Sequence, residues 1–358
     1  MYQRIIGFDL ARTYAILGMY IVNFNIVFGN LKDNSWIGQF LLLFNGNSST
    51  AFVMLSGMGL SLMTNRAYYS ESNRKKVRET VLKRATFLFV LGILLSLWWP
   101  ADILHFYGGY MGLAAIILYA DKKYYLGLAL GSVLLFHLIA WWFPFSTGWN
   151  FEKLEYVDFW TLTGFFRNLF YNGWNPVFPW LAFFMVGMYL GRVEMNNNKF
   201  LCKVFGIGLG MFLFINVVQT LVNQFSQNEQ LLFFMNADYL PPFLPFIMST
   251  MGFDLMLISG FLYLGQKLPQ TAIVLSLAKM GQMTMTHYLS HLLFGLVFFE
   301  TIIRAAGINQ SGDKLTVSPE LIVIYSIGFF IVSFYFSKIW LRKYSNGVFE
   351  SLMRKLTG

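Results

Sequence analysis

The sequence is poor in charge. Asp, Glu, Lys and Arg make up 12% of its 358 residues, about half the ~25% usual in soluble domains. That leaves too little polar surface to keep a chain of this size in water. Cysteine is nearly missing: Cys202 stands alone, which excludes an intrachain disulfide and a multi-cysteine metal centre. Histidine is scarce, with four in the chain, and no metal site is expected. No cleavable leader is expected either, because the first apolar run is long and no small-residue cleavage site follows it. No soluble insertion and no repeat interrupts the pattern, so residues 1–358 are expected to form one integral membrane domain. The net charge of +9 would suit a nucleic-acid partner if it were gathered on one face. It lies instead in short loops between apolar runs, which is how a membrane protein is oriented, and nucleic acid is not expected as a partner.

What is abundant is apolar and aromatic. Hydrophobic residues reach 56%, with 39 Phe, 19 Tyr and 10 Trp, and the mean hydropathy is +0.55. A span needs about 20 mainly apolar residues. Such runs occur at Leu10–Gly29, Ser49–Met63, Val81–Trp98, Ile103–Ala120, Tyr124–Phe143, Pro176–Gly191, Phe200–Leu221, Pro242–Leu264, Met283–Ile303 and Leu321–Trp340. The expected fold is all-α: a polytopic membrane helix bundle of about ten transmembrane helices with both termini cytoplasmic. The second span is short and is expected to begin within Trp36–Phe44. Phe159–Tyr171 and Ala272–Lys279 are amphipathic and suit an interface. With the N-terminus inside, all of the 26 Lys and Arg except Lys32, Lys153, Arg167, Arg304 and Lys314 fall on the inner side, and the alternation holds for an even number of spans.

Ionisable groups inside spans are costly and mark function by default. The first span opens with Asp9 and Arg12 on one helical face. They read either as an anchoring ion pair or as a cationic site for an anionic ligand. Asn23 lies eleven residues beyond Arg12, on the same face and roughly 16 Å away, so one helix can carry polar groups at both ends. The fourth span begins with Asp102 and His105 at i, i+3, a spacing at which a carboxylate can orient an imidazole as a general base. The alternative is a polar interfacial cluster. His137 sits in an apolar stretch and reads as structural. His287 and His291, at i, i+4, read as bundle hydrogen bonding sooner than as a metal site, since no third or fourth ligand stands at a telling spacing. Asp254 lies mid-span, where a bare charge is very unfavourable, and suggests a proton or solute path. Glu300 and Arg304 form an expected surface pair. Asn172 and Asn175 precede the sixth span and can line an outer polar pocket. That span closes with Gly187 and Gly191, a spacing that favours close helix packing. The basic run from Arg74 to Arg84 reads as a topology signal or as a phosphate-binding surface.

Several stretches taken together resemble the YeiB-like (DUF418) bacterial membrane proteins: RIIGFDLARTYAILGMYIVNF (4–24), WPADILHFYG (99–108), NPVFPWLAFFMVGMYLGR (175–192), GQMTMTHYLSHLLFG (281–295) and WLRKYSNGVFESLMR (340–354). The first span is also distantly similar to that of heparan-α-glucosaminide N-acetyltransferase and the transmembrane acyltransferase superfamily. There an Arg is followed eleven positions later by Asn or His, as Arg12 is by Asn23. The resemblance implies acyl transfer from cytoplasmic acyl-CoA to a sugar on the far side. Those acetyltransferases place a catalytic His just before Trp-x-Gly in the first outer loop. Here that loop reads from Lys32 to Gly38 with Trp36 and no His. Either Asp33 or His105 takes over the base role, or this branch has another activity.

The expected function is therefore a membrane-embedded acyltransferase, with acetyl as the expected group. Acetyl-CoA or another acyl-CoA is the donor, and a hydroxyl or amine of an extracytoplasmic glycan or small molecule is the acceptor. His105, Asp102, Asn23 and Asp33 are the candidate catalytic residues. Arg12, Lys83 and Arg84 are candidates for the donor phosphates, and Trp36, Asn172 and Asn175 for the acceptor. The alternative is a transporter or flippase for a small anionic or lipid-linked solute, with Asp254, His287 and His291 relaying protons. The expected setting is the bacterial cytoplasmic (inner) membrane, with the bilayer as partner and a homodimer compatible.

Overall fold

The computed structural model describes residues 4–64, 70–193, 195–236, 238–307 and 315–358. Arg66 and Lys314, both counted in the charge asymmetry, lie outside the described residues. The chain is almost wholly helical. In order run α1 (Ile6–Phe28), α2 (Trp36–Leu42), α3 (Asn47–Thr64), α4 (Glu71–Ser96), α5 (Leu104–Ile116), α6 (Lys122–Trp142), α7 (Leu162–Arg167) and α8 (Val177–Leu190). They are followed by α9 (Asn198–Phe225), α10 (Glu229–Met235), α11 (Leu244–Lys267), α12 (Ala272–Met280), α13 (Thr284–Ser290), α14 (Leu296–Ala305), α15 (Pro319–Lys343) and α16 (Val348–Thr357). Each expected span falls on a helix. Among the described residues, six helices are long and apolar enough to cross a membrane: α1, α6, α9, α11, the continuous Thr284–Ala305 and α15. The protein is a multi-pass helical membrane protein.

One expected boundary changes. The stretch Trp36–Phe44 does not begin the second span; it forms the separate helix α2, ended by a turn in which Gly46 takes a φ of 74°. That left-handed conformation suits glycine and stops a helix that apolarity alone would have continued. Conversely, the expected Phe159–Tyr171 segment runs as α7 followed by a π-turn at Asn168–Asn172, and Ala272–Lys279 becomes α12, capped at its start by the Thr271 hydroxyl.

The described residues form two compact units. The first comprises Met1–Phe52, Leu201–Phe205 and Leu255–Lys355. Within it α1 packs on α12 and α15, and α12 on α15. Bare backbones set the approach: a methyl added at Gly7 would overlap the Phe261 carbonyl, and one at Gly281 would overlap that of Asp9. Thr13 fixes the same contact by donating to the Leu277 carbonyl at 2.6 Å. In this unit α16 is fastened by Glu350, whose carboxylate accepts from the N–H groups of Met285 and Thr286 and from the Thr286 hydroxyl. A negative charge at a helix N-terminus satisfies donors that have no partner within the helix.

The second unit comprises Val53–Phe200, Gly206–Asp254 and Leu356–Gly358. Here α4 lies along α5, and α6 along α8. The buried residues of α4 are Val81, Ala85, Leu88, Gly92 and Ser96, a stripe at three- and four-residue spacing. The expected close packing at Gly187 and Gly191 is present, since methyl groups there would overlap Met54 and Ser61 of α3. Arg192 then gathers three helix ends by donating to the Thr64 hydroxyl and to the Thr64 and Leu118 carbonyls. These bonds satisfy helix-terminal carbonyls that have no partner within their own helices.

Candidate functional site

The most reactive geometry in the second unit lies at the start of α5. Asp102 accepts the backbone N–H of His105 at 3.1 Å and, through the same Oδ2, the ring Nδ1 at 3.1 Å. Both side chains are fully buried. The first of these bonds ties the residue before the N-cap Ile103 to the first turn of α5 and places the carboxylate one turn ahead of the imidazole. The second holds His105 as the Nδ1–H tautomer with a lone pair on Nε2. That Nε2 is buried and has no hydrogen-bond partner among the described residues. A buried polar atom without a partner is unusual and calls for an explanation. Gly92 of α4 makes the arrangement possible, because a methyl there would collide with the His105 nitrogen and crowd the Asp102 oxygen. The imidazole is walled by the rings of Phe106 and Phe159.

In the first unit the polar face of α1 meets α13 and α15. Asn23 donates through Nδ2 to His291 Nε2 at 2.7 Å. This makes His291 Nε2 an acceptor, so in the neutral ring the proton lies on Nδ1, a buried atom with no hydrogen-bond partner among the described residues. His291 opens a π-turn (His291–Gly295) inside the continuous helix, a distortion often found at functional sites. His287 Nε2 lies 2.8 Å from Ser337 Oγ, whose own proton goes to the Ser333 carbonyl. Ser333 Oγ is 3.0 Å from the Tyr20 hydroxyl. The string is continuous in space, yet Ser337 spends its proton on a carbonyl and does not hand it onward. Tyr20, Ser333 and Ser337 are participants that the sequence reading missed. The signal was present: Ser326, Ser333 and Ser337 stand seven and four apart on an otherwise apolar helix.

The remaining candidates occupy varied surroundings. Arg12 lies over the Phe8 ring at 4.1 Å, while Asp9 accepts from Arg4 Nε at 2.6 Å. Lys83 is exposed on α4, and Arg84 points its Nη1 at Met63 Sδ, 3.1 Å away. Trp36 is 79% exposed at the start of α2. Asp33 accepts from the Ser35 N–H at 2.8 Å, and the side chain and backbone of Ser35 hold its carboxyl below the usual range. Such a carboxylate is a weak base. Asn172 is saturated: it donates to the Phe145 and Thr147 carbonyls and accepts from the Tyr156 hydroxyl. It pins the excursion that carries a small ribbon, Trp149–Asn150 paired with Glu155–Tyr156. Burial pushes the Tyr156 phenol up to about 12, so it remains a donor at neutral pH. Asn175 donates to the Tyr239 hydroxyl, and its carbonyl accepts from Tyr110. Asp254 is fully buried in α11. His137 is structural, with its ring bonded to the Val133 carbonyl and the Leu244 N–H. Among the described residues no group of three or more His, Cys, Asp or Glu is placed to hold a metal ion.

A multi-pass helical bundle with a buried Asp–His pair and a second imidazole bonded to Asn23 defines a class of membrane protein with reactive polar groups inside it. The family model for the catalytic domain of heparan-α-glucosaminide N-acetyltransferase matches residues 4–206, more than half of the chain. The DUF418 model, a family described as of unknown function, matches residues 189–358. The chain belongs to the heparan-α-glucosaminide N-acetyltransferase catalytic family, and its C-terminal part is of the YeiB-like (DUF418) kind. No curated protein and no solved structure matches it.

Proposed function

We propose that the protein is a membrane acyltransferase that takes an acyl group, acetyl in the first instance, from cytoplasmic acyl-CoA. The acceptor is a hydroxyl or amine of an extracytoplasmic glycan or similar molecule. One observation carries the reading: the Asp102–His105 pair, buried, hydrogen-bonded through Nδ1, with a lone pair left on Nε2. In this role His105 Nε2 takes the proton of the acceptor O–H or N–H as that atom attacks the thioester carbonyl. The carbonyl oxygen becomes an oxyanion, which hydrogen-bond donors must stabilise; Asn23 of the first unit is kept as a separate candidate catalytic residue for its family spacing from Arg12. When the intermediate collapses, the C–S bond breaks and the imidazolium returns its proton to the CoA thiolate. Asp102 steadies the imidazolium and does not itself take the proton.

Candidates for the donor phosphates are Arg12 in the first unit and, separately, Lys83 and Arg84 in the second; candidates for the acceptor are Trp36 in the first and, separately, Asn172 and Asn175 in the second. Asp33 is the weaker candidate for base, because Ser35 stabilises its charged form. The test is transfer of labelled acetyl from acetyl-CoA by purified protein in liposomes. His105→Ala and His105→Gln are expected to lose transfer per folded molecule by at least about a hundredfold, the lower end of general-base contributions, with a lowered melting temperature in His105→Ala, where the buried Asp102 loses its partner. Full activity in either variant refutes the assignment.

A transporter of a small anionic solute is the second reading, favoured by the burial of Asp254, His287 and His291. Solute uptake driven by a pH gradient, abolished in Asp254→Asn and without any CoA release, would select it.

A further inference from the structure

Within the first unit, α16 bridges the ends of two spans. It follows α15, which stops at Lys343, after the short link 344–347. It is also fastened to the start of the other span, Thr284–Ala305. There the Glu350 carboxylate accepts from the Met285 and Thr286 N–H groups, and the Phe349 N–H donates to the Thr286 hydroxyl at 3.2 Å. A helix tied to two span ends stands where the chain leaves the hydrocarbon. The link carries the residues of that boundary: the Trp340 Nε1 donates to the Asn346 carbonyl at 2.9 Å, and the Trp340 and Tyr344 rings stack with centroids 4.2 Å apart.

Glu350 turns one side of α16 toward α13, and the opposite side is bare and apolar. Val348 and Leu352, one turn apart, are 40% and 44% exposed. Lys355, at i+3 from Leu352, edges that stripe, and Arg354 stands beside it in the same last turn. Arg342 and Lys343 end α15, and all four basic side chains are exposed. The acid of α16, Glu350, is already engaged by α13, so it does not oppose an anion. A second copy docked through this stripe by a two-fold axis would bring the four cations against their own counterparts. An apolar stripe edged by cations, at the level where spans end, fits a bilayer surface: the apolar side chains enter the acyl boundary and the basic ones lie among headgroups. We infer that α16 is a membrane-surface helix that docks on anionic lipid headgroups, with Val348 and Leu352 inserted and Arg342, Lys343, Arg354 and Lys355 on the phosphates. The inference stands independently of acyl transfer.

The test uses the full chain in liposomes of phosphatidylcholine with and without phosphatidylglycerol. Cys202, the single cysteine, is exposed, and Cys202→Ser clears the background for a nitroxide label. The label is attached in turn at Val348→Cys, Leu352→Cys and Ser351→Cys, exposed positions whose replacement leaves the packing intact. With phosphatidylglycerol present, labels at 348 and 352 are expected to collide several-fold more with oxygen dissolved in the bilayer than with an aqueous nickel chelate. The label at 351, on the polar edge, is expected to reverse that order. Each Lys or Arg near an anionic surface strengthens docking by about fivefold. Arg354→Gln/Lys355→Gln is therefore expected to raise nickel access at 352 toward that at 351, as is omission of phosphatidylglycerol. Equal nickel access at 352 and 351 in the anionic liposomes overturns the inference. So does shielding of 352 from both reagents, which would mark a protein partner. Shielding that neither the charge variant nor the lipid alters overturns it as well, by marking apolar contact alone.

Discussion

Gly92→Ala is the substitution whose outcome follows most directly from the packing. The added methyl would collide with the His105 backbone nitrogen and stand 2.5 Å from the Asp102 oxygen, and both belong to the turn that opens α5. Backbone cannot swing aside as a flexible side chain can, so α4 and α5 must separate locally. Overpacking of this kind costs about 1–3 kcal/mol. The bond of the imidazole to a carboxylate, worth about 1.5–3 kcal/mol, is the element closest to the intrusion. At 1.36 kcal/mol per tenfold, loss of half of that bond slows a reaction dependent on the dyad by roughly three- to tenfold, beyond any loss of folded protein. Gly112 of α5 supplies the control: a methyl there has no neighbour within 4 Å, and Ala is the better helix former by about 1 kcal/mol. Activity per folded molecule and melting temperature, measured in parallel for the two variants in liposomes, separate the effects. Gly92→Ala is expected to lower both, and Gly112→Ala to lower neither. Equal behaviour of the two variants would refute the reasoning.

Glu350→Ala removes a carboxylate that accepts three hydrogen bonds at the start of α13. A loss of about 1–2 kcal/mol is expected, read as earlier hydrogen exchange at Met285 and Thr286, and unchanged exchange there counts against the cap. Asn172→Leu strips both donors from the Phe145 and Thr147 carbonyls and is expected to destabilise the 143–175 excursion by about 2–4 kcal/mol. A change in the emission of Trp149, whose Nε1 donates to the Asn172 carbonyl, checks this. Asp33 titrates below its usual value because of Ser35. Its contribution is therefore full above the unfolded carboxyl value near ~3.9 and is lost as pH falls through the lower folded value. Ser35→Ala removes the hydroxyl and keeps the N–H, so the carboxyl is expected to rise part of the way toward the ordinary range in a carbon-13 NMR titration, and an unshifted titration contradicts the role of the hydroxyl.

The helices were legible because the bilayer demands long apolar runs, and the Asp102–His105 pair was legible because i, i+3 contacts are local. Gly46 escaped notice, since apolarity from Trp36 to Phe44 outweighs a single left-handed residue in any reading by pattern. Asn23 and His291 were each noticed but never joined. They lie on different helices, and nothing in the spacing along one helix says which distant imidazole it will meet. Asn172 looked like a pocket residue because a sequence cannot show that every donor of an amide is already engaged.

The proposed reaction moves an acyl group from acyl-CoA to an acceptor across the membrane, with His105 as the base. Proteoliposomes given labelled acetyl-CoA on one side and a panel of amino sugars and glycans on the other measure it directly. Labelled acceptor and stoichiometric CoA thiol are expected, both lost in His105→Gln with donor binding retained. Donor bound without thiol release, or transfer undiminished in His105→Gln, would contradict it.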